Sequence, residues 1–285
     1  MSLEFAGVTD VGRKRDHNED SPLVLPERNL VCVCDGMGGH SAGEVASGIG
    51  VETIKRFFEI AEDHNATWPF RYDRNMDEAS NKVAVAAQWA NQRIREAAAA
   101  DGGKKHGMGT TFVGVLVTDR RATFGWVGDS RGYLFRRGEL HPATSDHSLI
   151  NELIKTGRLS DEEIANFQHK NIITRALGMG DAVEVDINAF DLEDGDICLV
   201  CSDGLTGMVS DERIAEILTQ EQGLQAAAQR LIDEANANGG VDNISACLIR
   251  FGKAAEASTP PAPPAPDAPP APSAPDTPPA PPAGA

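Results

Sequence analysis

The sequence of 285 residues has no apolar run long enough to cross a membrane and no basic N-terminal segment followed by an apolar stretch. A spanning helix needs about 20 consecutive apolar residues, and a secretory signal needs both of those parts. We therefore expect a cytoplasmic protein. Aromatic residues are also scarce, at 5%, although 41% of the residues are hydrophobic. This composition predicts a core made mainly of aliphatic side chains.

Basic residues are in short supply. The chain has 26 Lys and Arg against 43 Asp and Glu, which gives a formal net charge of -17. A surface of this sign repels nucleic acids and anionic lipids, because it offers no positive field to their phosphate groups. We therefore expect neither nucleic acid nor a membrane as a partner. The excess acid either keeps the protein soluble or marks clustered carboxylates that need cations, and only their positions can separate these readings.

Cysteine is limited to five residues, an odd number, and each lies in an apolar segment: Cys32, Cys34, Cys198, Cys201 and Cys247. Cys198 and Cys201 have the spacing of a metal clip, but no second Cys or His pair accompanies them at zinc-site spacing. The pattern predicts five buried free thiols that serve as small hydrophobic side chains in a reducing compartment.

Composition changes abruptly after Lys253, because residues 254–285 are almost entirely Ala and Pro and hold 13 of the 17 prolines. Proline removes hydrogen-bond donors and fixes φ, so this segment favours extended polyproline II over helix or sheet. We expect a folded domain at 1–253 and a disordered tail at 254–285. The tail either is inert and keeps the protein soluble, or is an arm that docks into aromatic-lined grooves.

The body of the chain has the pattern of an α+β protein. Short runs rich in Val, Ile and Phe predict strands at Phe5–Thr9, Leu30–Cys34, Thr111–Thr118, Ala122–Val127, Gly132–Arg136, Val183–Phe190, Ile197–Cys201 and Ile244–Ile249. Helical patterns cover Ser41–Glu62, Asp77–Ala100, Ser210–Glu221 and Leu224–Asn238. Strands and helices do not alternate, which disfavours a doubly wound parallel sheet. We predict a central antiparallel β-sandwich flanked on both faces by helix pairs, in α/β/β/α layers.

Four aspartates stand at predicted strand ends, and three of them adjoin Gly: Asp35, Asp129, Asp203 and Asp242. Each Asp-Gly pair alone is typical of a turn. If the strand ends share one rim, however, these carboxylates converge, and two charges 4 Å apart repel by about 4 kcal/mol at an effective dielectric near 20. Convergence therefore requires cations, and hard oxygen ligands select Mg²⁺ or Mn²⁺.

The segment Thr9–Ser21 interleaves acidic and basic residues on a predicted loop that contains Gly12. It is either a solvated loop or part of the site. In the second case, Arg15 offers a fork for a phosphate dianion beside Glu19 and Asp20, whose carboxylates would orient metal-bound water.

Six motifs occur in a fixed order along residues 1–253. They are Thr9-Asp10 through Glu19-Asp20, Asp35-Gly36-Met37-Gly38-Gly39, Gly107-Met108-Gly109-Thr110-Thr111, Gly128-Asp129-Ser130-Arg131, Ser202-Asp203-Gly204-Leu205 and Asp242-Asn243. In this order they resemble the motifs of the metal-dependent protein phosphatase family (protein phosphatase 2C type), and most closely its bacterial Ser/Thr phosphatases. The resemblance implies a β-sandwich flanked by helix pairs, in agreement with the strand and helix pattern.

The resemblance also implies a role for individual residues. Asp35 corresponds to the carboxylate that bridges two metals, the Gly36 carbonyl completes one metal site, and Asp203 and Asp242 complete the other. Asp129 resembles the ligand that holds a third ion together with Asp203. Arg15 corresponds to the arginine that binds the phosphate. Glu19 and Asp20 correspond to carboxylates that hold metal-bound waters. Thr144–Leu159 resembles the flap beside the site.

One position departs from the family. Eukaryotic members carry His where this chain has Met37, and a thioether cannot donate a proton. His40 and His147 are possible proton donors, although each is expected to be a helix-entry or surface histidine. A metal-bound water is therefore the expected donor to the leaving group.

The sequence thus predicts a Ser/Thr protein phosphatase with two Mn²⁺ or Mg²⁺ ions and a possible third. A water or hydroxide that bridges the metals would attack phosphorus in line, with no protein nucleophile. Expected partners are phosphorylated proteins, namely Ser/Thr kinases and their substrates, and the chain is expected to be a monomer. Two alternatives remain open: an inactive module that binds phosphoproteins, and a metallohydrolase that acts on small phosphate esters.

Overall fold

The computed structural model describes residues 2–38, 42–61, 67–100, 107–157 and 172–252. The chain divides into two units, Met1–Ala254 and Ala255–Ala285, and the second unit lies outside the described residues. The predicted tail and its boundary after Lys253 therefore remain predictions. Ser41, His40 and the end of the predicted flap, Arg158–Leu159, also lie outside the described residues. Among the residues that the structure describes, no helix is both long and apolar enough to cross a bilayer.

Eleven strands are present among the described residues. They are β1 Leu3–Asp10, β2 Asp20–Leu25, β3 Leu30–Met37, β4 Gly109–Thr110, β5 Phe112–Thr118, β6 Arg121–Val127, β7 Arg131–Arg136, β8 Glu139–Pro142, β9 Asp186–Asp191, β10 Ile197–Cys201 and β11 Ile244–Phe251. The described helices are α1 Ala42–Ile60, α2 Glu78–Ala100, α3 Leu149–Lys155, α4 Asp203–Thr206, α5 Asp211–Gln220 and α6 Leu224–Ala237, with a 3-10 turn at Pro26–Arg28.

The strands form two antiparallel sheets, with orders β1-β11-β10-β7-β8 and β2-β3-β5-β6-β9, and β4 pairs with β3. A central core lies between the sheets. Helices α1 and α2 pack on the outer face of the β3 sheet, and α5 and α6 pack on the outer face of the β10 sheet. The predicted sandwich with helix pairs on both faces is confirmed.

Strand β3 shows why its sequence is apolar without interruption. Val31 and Val33 point into the core between the sheets, while Cys32 and Cys34 point toward α1 and α2. Side chains alternate between the faces of a strand, so a strand covered on both faces needs apolar residues at every position. Because all five cysteines are buried and free, the prediction of small hydrophobic thiols is confirmed.

Three strands were not predicted, and two of them contain proline. Strand β2 contains Pro22, and β8 ends at Pro142. Both strands lie at sheet edges, where a missing N–H leaves no ladder bond unmade. Their sequences therefore lack the signal of a central strand. The third, β4, has two residues, and the unpredicted helices α3 and α4 have seven and four, so none of them carries a readable period.

Three predicted boundaries were wrong. Asp35 was expected to follow a strand, but β3 continues through Asp35 to Met37. The segment Thr9–Ser21 was expected to be a loop, but its ends belong to β1 and β2. Strand β9 begins at Asp186 rather than Val183. In the first two cases pairing with a neighbouring strand extends the strand into polar sequence, which a local pattern does not report.

Candidate active site

Asp20 and Asp35 lie directly opposite each other on β2 and β3. Asp20 is only 7% exposed, and its Oδ2 accepts a hydrogen bond of 2.7 Å from the Ser202 hydroxyl. Burial raises the pKa of Asp20 to about 7, although hydrogen bonds from Ser202 and Ser245 oppose this rise. Antiparallel pairing therefore places two carboxyl groups side by side at one end of the sandwich.

The main chain at Asp35 is held by two threonines, Thr110 at the end of β4 and Thr111 directly after it. Thr111 donates its N–H to the Asp35 carbonyl at 2.8 Å, and its hydroxyl accepts the Asp35 N–H at 3.0 Å. The Thr110 hydroxyl also donates to the Asp35 carbonyl, at 2.8 Å. Burial raises the pKa of Asp35 well above its ordinary value, and the charges of Asp20 and Asp203 add to the rise.

Gly36 stands where no other residue fits. A Cβ atom at this position would lie 2.1 Å from the carbonyl oxygen of Gly43, at the start of α1. The Gly36 N–H donates to the Glu19 carbonyl at 3.1 Å, which brings the N-terminal segment to the same rim. Burial raises the pKa of the Glu19 carboxyl, while the Arg15 charge lowers it.

Asp203 and Asp242 approach from the second sheet. Asp203 begins α4, directly after the buried Ser202. A Cβ on Gly204 would lie 2.0 Å from the Asn243 carbonyl oxygen, so glycine permits the close approach of these two segments. Burial raises the pKa of Asp203, and the Asp242 charge adds to this effect. The Asp203 charge in turn contributes to the raised pKa of Asp35.

Asn243 was not predicted to have a role of its own, yet its side chain connects the N-terminal segment to the site. Its Nδ2 donates to the carbonyl oxygens of Val11 at 2.9 Å and His17 at 2.8 Å, and its Oδ1 accepts the Glu19 N–H at 2.8 Å. The only available signal was its position beside Asp242. A buried amide with three long-range partners fixes a loop that has no regular structure.

Arg15 is placed beside Asp242. Its Nη2 donates to Asp242 Oδ2 at 2.7 Å, and the two side chains are 48% and 33% exposed. The guanidinium therefore lies at the open rim of the cluster of carboxylates, where it is accessible to an anion. A phosphate at this position competes with Asp242 for the same fork.

Asp129 occupies the loop between β6 and β7 and is 9% exposed. Burial raises its pKa to about 7, and the charges of Asp203 and Asp146 add to the rise. The structure thus brings together the site residues predicted from sequence around Asp35, from both sheets and the N-terminal segment.

Two observations indicate that the carboxylate oxygens suit divalent cations. Oδ1 of Asp20 and Oδ1 of Asp129 are buried and have no hydrogen-bond partner, although buried carboxylate oxygens are costly to leave unpaired. The donor set consists of hard oxygens, which match Mg²⁺ and Mn²⁺. Within the described ranges, however, no three His, Cys, Asp or Glu side chains already stand at metal-ligand spacing. An ion that binds here must therefore draw carboxylates closer together.

His147 is not a surface residue, contrary to one expectation, because it is only 6% exposed. Its Nδ1 accepts the Gly128 N–H at 3.1 Å, and its Nε2 lies 3.3 Å from Asp186 Oδ2. Both ring nitrogens therefore have partners inside the protein. The other possible donor, His40, lies outside the described residues.

Comparison with known proteins agrees with this geometry. Residues 13–244 match the family profile described as Protein phosphatase 2C. The chain is 36% identical over 257 residues to the serine/threonine phosphatase stp of Listeria innocua, covering 87% of this chain and 95% of that protein.

Two solved structures share the fold. The Streptococcus agalactiae serine/threonine phosphatase superposes with a TM-score of 0.76 at 38% identity, covering 87% of this chain and 99% of that one. The catalytic domain of the serine/threonine protein phosphatase PstP, in complex with two manganese ions, gives a TM-score of 0.74 at 33% identity, covering 88% and 99%. The chain described here belongs to the protein phosphatase 2C family.

Proposed function

We propose that this chain is a metal-dependent protein phosphatase that hydrolyses phosphoserine and phosphothreonine esters. The observation that carries the proposal is the group of buried carboxylates, two with unpartnered oxygens, beside the accessible guanidinium of Arg15. The relatives named serine/threonine phosphatases cover most of the chain and support the same substrate class.

The carboxylates account for the metal requirement. Two divalent ions, Mn²⁺ or Mg²⁺, supply Lewis acidity that lowers the pKa of water and neutralises charge on the phosphoryl oxygens. Asp35, the Gly36 carbonyl, Asp203 and Asp242 would hold these two ions. Asp129 would hold a third ion with Asp203. Two further residues would bind the ions through water: Glu19 and Asp20.

Arg15 binds the substrate phosphate. Its fork of N–H groups matches two oxygens of a phosphate dianion, and its position at the rim of the carboxylates places that phosphate against the ions. Neither of two candidate side chains supplies the proton for the leaving alkoxide, because Met37 cannot donate and His147 is engaged on both nitrogens. We assign this step to water.

Assays on two substrates test the proposal. Purified full chain with Mn²⁺ is expected to hydrolyse an aryl phosphate and a phosphothreonine peptide, and both activities should vanish with EDTA. Asp35→Asn should abolish turnover on both, whereas Asp233→Asn, which changes an exposed carboxylate on α6, should not. Circular dichroism confirms that each variant is folded.

The two alternatives give different outcomes. Tight phosphopeptide binding without turnover in Mn²⁺ would identify an inactive binding module. Turnover of sugar phosphates with no activity on phosphopeptides would identify a small-molecule phosphatase. Either result would overturn the proposal.

The cellular context follows from the same proposal. Substrates would be Ser/Thr kinases and the proteins they phosphorylate, and the location would be cytoplasmic, which the five free buried thiols support. We also propose a monomer, testable by light scattering of the purified chain.

A further inference from the structure

The beginning of the flap is joined to the loop that carries Asp129. Ala143 donates its N–H to the Gly132 carbonyl at 2.8 Å, and the Thr144 hydroxyl accepts the Gly132 N–H at 2.9 Å. Two residues further along the flap, the Asp146 carboxylate accepts a forked pair of bonds from Arg131, of 3.0 and 2.8 Å. These contacts hold the flap against the start of β7.

His147 completes this junction by exchanging two hydrogen bonds with Gly128. The His147 N–H donates to the Gly128 carbonyl at 2.8 Å, and the Gly128 N–H donates to Nδ1 of the imidazole at 3.1 Å. The ring stacks on Trp126, with centroids 6.1 Å apart and planes 20° apart, while the Trp126 indole N–H donates to the Ser145 carbonyl at 2.9 Å. The imidazole is therefore fixed in a single orientation.

The contacts of Nε2, on the other side of the imidazole, also fix the orientation of the ring. Nε2 lies 3.3 Å from Asp186 Oδ2 and 3.3 Å from Arg175 Nη1. A neutral imidazole with its proton on Nε2 donates to Asp186 and leaves the Nδ1 lone pair for Gly128. Burial lowers the pKa of His147, and the Arg175 charge adds to this effect, so the neutral form is the one present at neutral pH.

Gly128 lies against Thr111, a residue that contacts Asp35 in the site. It has φ of +112°, and a Cβ there would lie 2.7 Å from the Thr111 side chain. The Thr111 hydroxyl is shared with the Asp35 N–H and the Ser130 hydroxyl. The next residue after Gly128 is Asp129. A displacement of Gly128 is therefore expected to move the Asp129 carboxylate and to change the contact with Thr111, whose hydroxyl accepts the Asp35 N–H.

We propose that His147 is a positioning residue, which locks the flap and the Asp129 loop into one unit through the bond from Gly128 to its Nδ1. Its importance for turnover rests on the proposed function. The coupling itself is a property of the metal-free chain, so it can be measured without any catalysis.

A pair of amide substitutions separates this bond from simple packing. His147→Asn keeps an acceptor at the position of Nδ1, whereas His147→Gln moves the amide to the position of Nε2. Gln is closer to His in size, so a packing role predicts that Gln is tolerated better than Asn. The proposed hydrogen bond predicts the opposite order, because only Asn satisfies the buried Gly128 N–H.

Hydrogen exchange followed by mass spectrometry on the full chain in EDTA gives the direct measurement. Leaving a buried donor unpaired is expected to raise the exchange rates of peptides covering 126–132 and 143–150 together, by about 5- to 150-fold in His147→Gln. His147→Asn should stay close to the wild-type rates. Asp186→Asn, which alters only the Nε2 side, serves as the matched control and should also stay close to wild type.

Mn²⁺ titration by calorimetry and steady-state kinetics supply the functional readout. We expect His147→Gln to bind Mn²⁺ more weakly and to lose phosphopeptide kcat/KM, with both restored in His147→Asn. The proposal is overturned if the Gln variant exchanges like wild type, if the Asn variant is the more damaged of the two, or if only one of the two segments responds. A chain that lacks phosphatase activity altogether would still show the exchange pattern, so the two proposals fail separately.

Discussion

Replacing Asp129 by Asn is expected to stabilise the metal-free protein by an amount that grows as the pH rises from 5 to 7. The Asp129 carboxyl is 9% exposed, and its pKa is raised from 3.8 to about 7 by burial and by the charges of Asp203 and Asp146. Between these two pKa values the folded state holds a proton that the unfolded state has released. The free energy of unfolding therefore falls as the pH rises through this window.

The size of the effect follows from the length of the window. Each pH unit costs about 1.4 kcal/mol for one group, so the step from pH 5 to pH 7 costs the metal-free wild type about 3 kcal/mol. Above the folded-state pKa both states are ionised and the cost becomes constant. Asn cannot ionise, so Asp129→Asn removes this cost, and the difference between the two proteins cancels the contribution of titrating groups that do not interact with Asp129.

Urea unfolding in EDTA at half-unit steps between pH 5 and pH 8 measures this difference. We expect the stability advantage of Asp129→Asn to increase to about pH 7 and then to level off. Saturating Mn²⁺ should shrink the trend, because a bound cation favours the ionised carboxylate. Asp233→Asn on the exposed face of α6 should show no such trend. A stability advantage of Asp129→Asn that is independent of pH, or that declines toward pH 7, would refute the placement of Asp129 in a buried cluster of carboxylates.

Three further substitutions test the site. Arg15→Ala should lower kcat/KM for a phosphopeptide about 10- to 100-fold, because charged hydrogen bonds to phosphate are lost. Arg15→Lys should restore part of the lost kcat/KM. An unchanged KM in Arg15→Ala would contradict the proposal that Arg15 binds the substrate phosphate. Gly36→Ala should cost about 3 kcal/mol or more of stability in urea unfolding, because its Cβ would meet the Gly43 carbonyl oxygen at 2.1 Å. Gly48→Ala, with nothing within 4 Å of its Cβ, should be neutral or stabilising, and equal effects would refute the steric argument. Met37→His should raise the ratio of phosphoserine to aryl phosphate turnover by much less than the about 100-fold that a new general acid supplies. A gain of that size would show that water does not deliver the proton efficiently in the wild type.

Periodic segments made the layered fold predictable. The apolar stripe of α2, from Ala79 through Val83 to Ile94, is buried as its spacing indicates, and the turn at Arg137–Gly138 joins β7 to β8 with both residues at positive φ. The edge strands β2 and β8 were not recognised, although each pairs with a strand next to it in the sequence, because proline and polar residues interrupt their few apolar residues. Asp20 was therefore treated as a loop residue, although strand pairing sets it opposite Asp35.

The amino-acid sequence by itself determined which residues are available for chemistry: carboxylates beside glycines, an arginine in a polar segment, and thiols confined to apolar strands. Only the tertiary structure decided which of these carboxylates are buried, that Arg15 lies on Asp242, and that His147 is held between Gly128 and Asp186. The reason is physical. Burial, carboxyl pKa and hydrogen-bond partners depend on distances between segments that are up to about two hundred residues apart in the chain, and those distances exist only after both sheets have packed together.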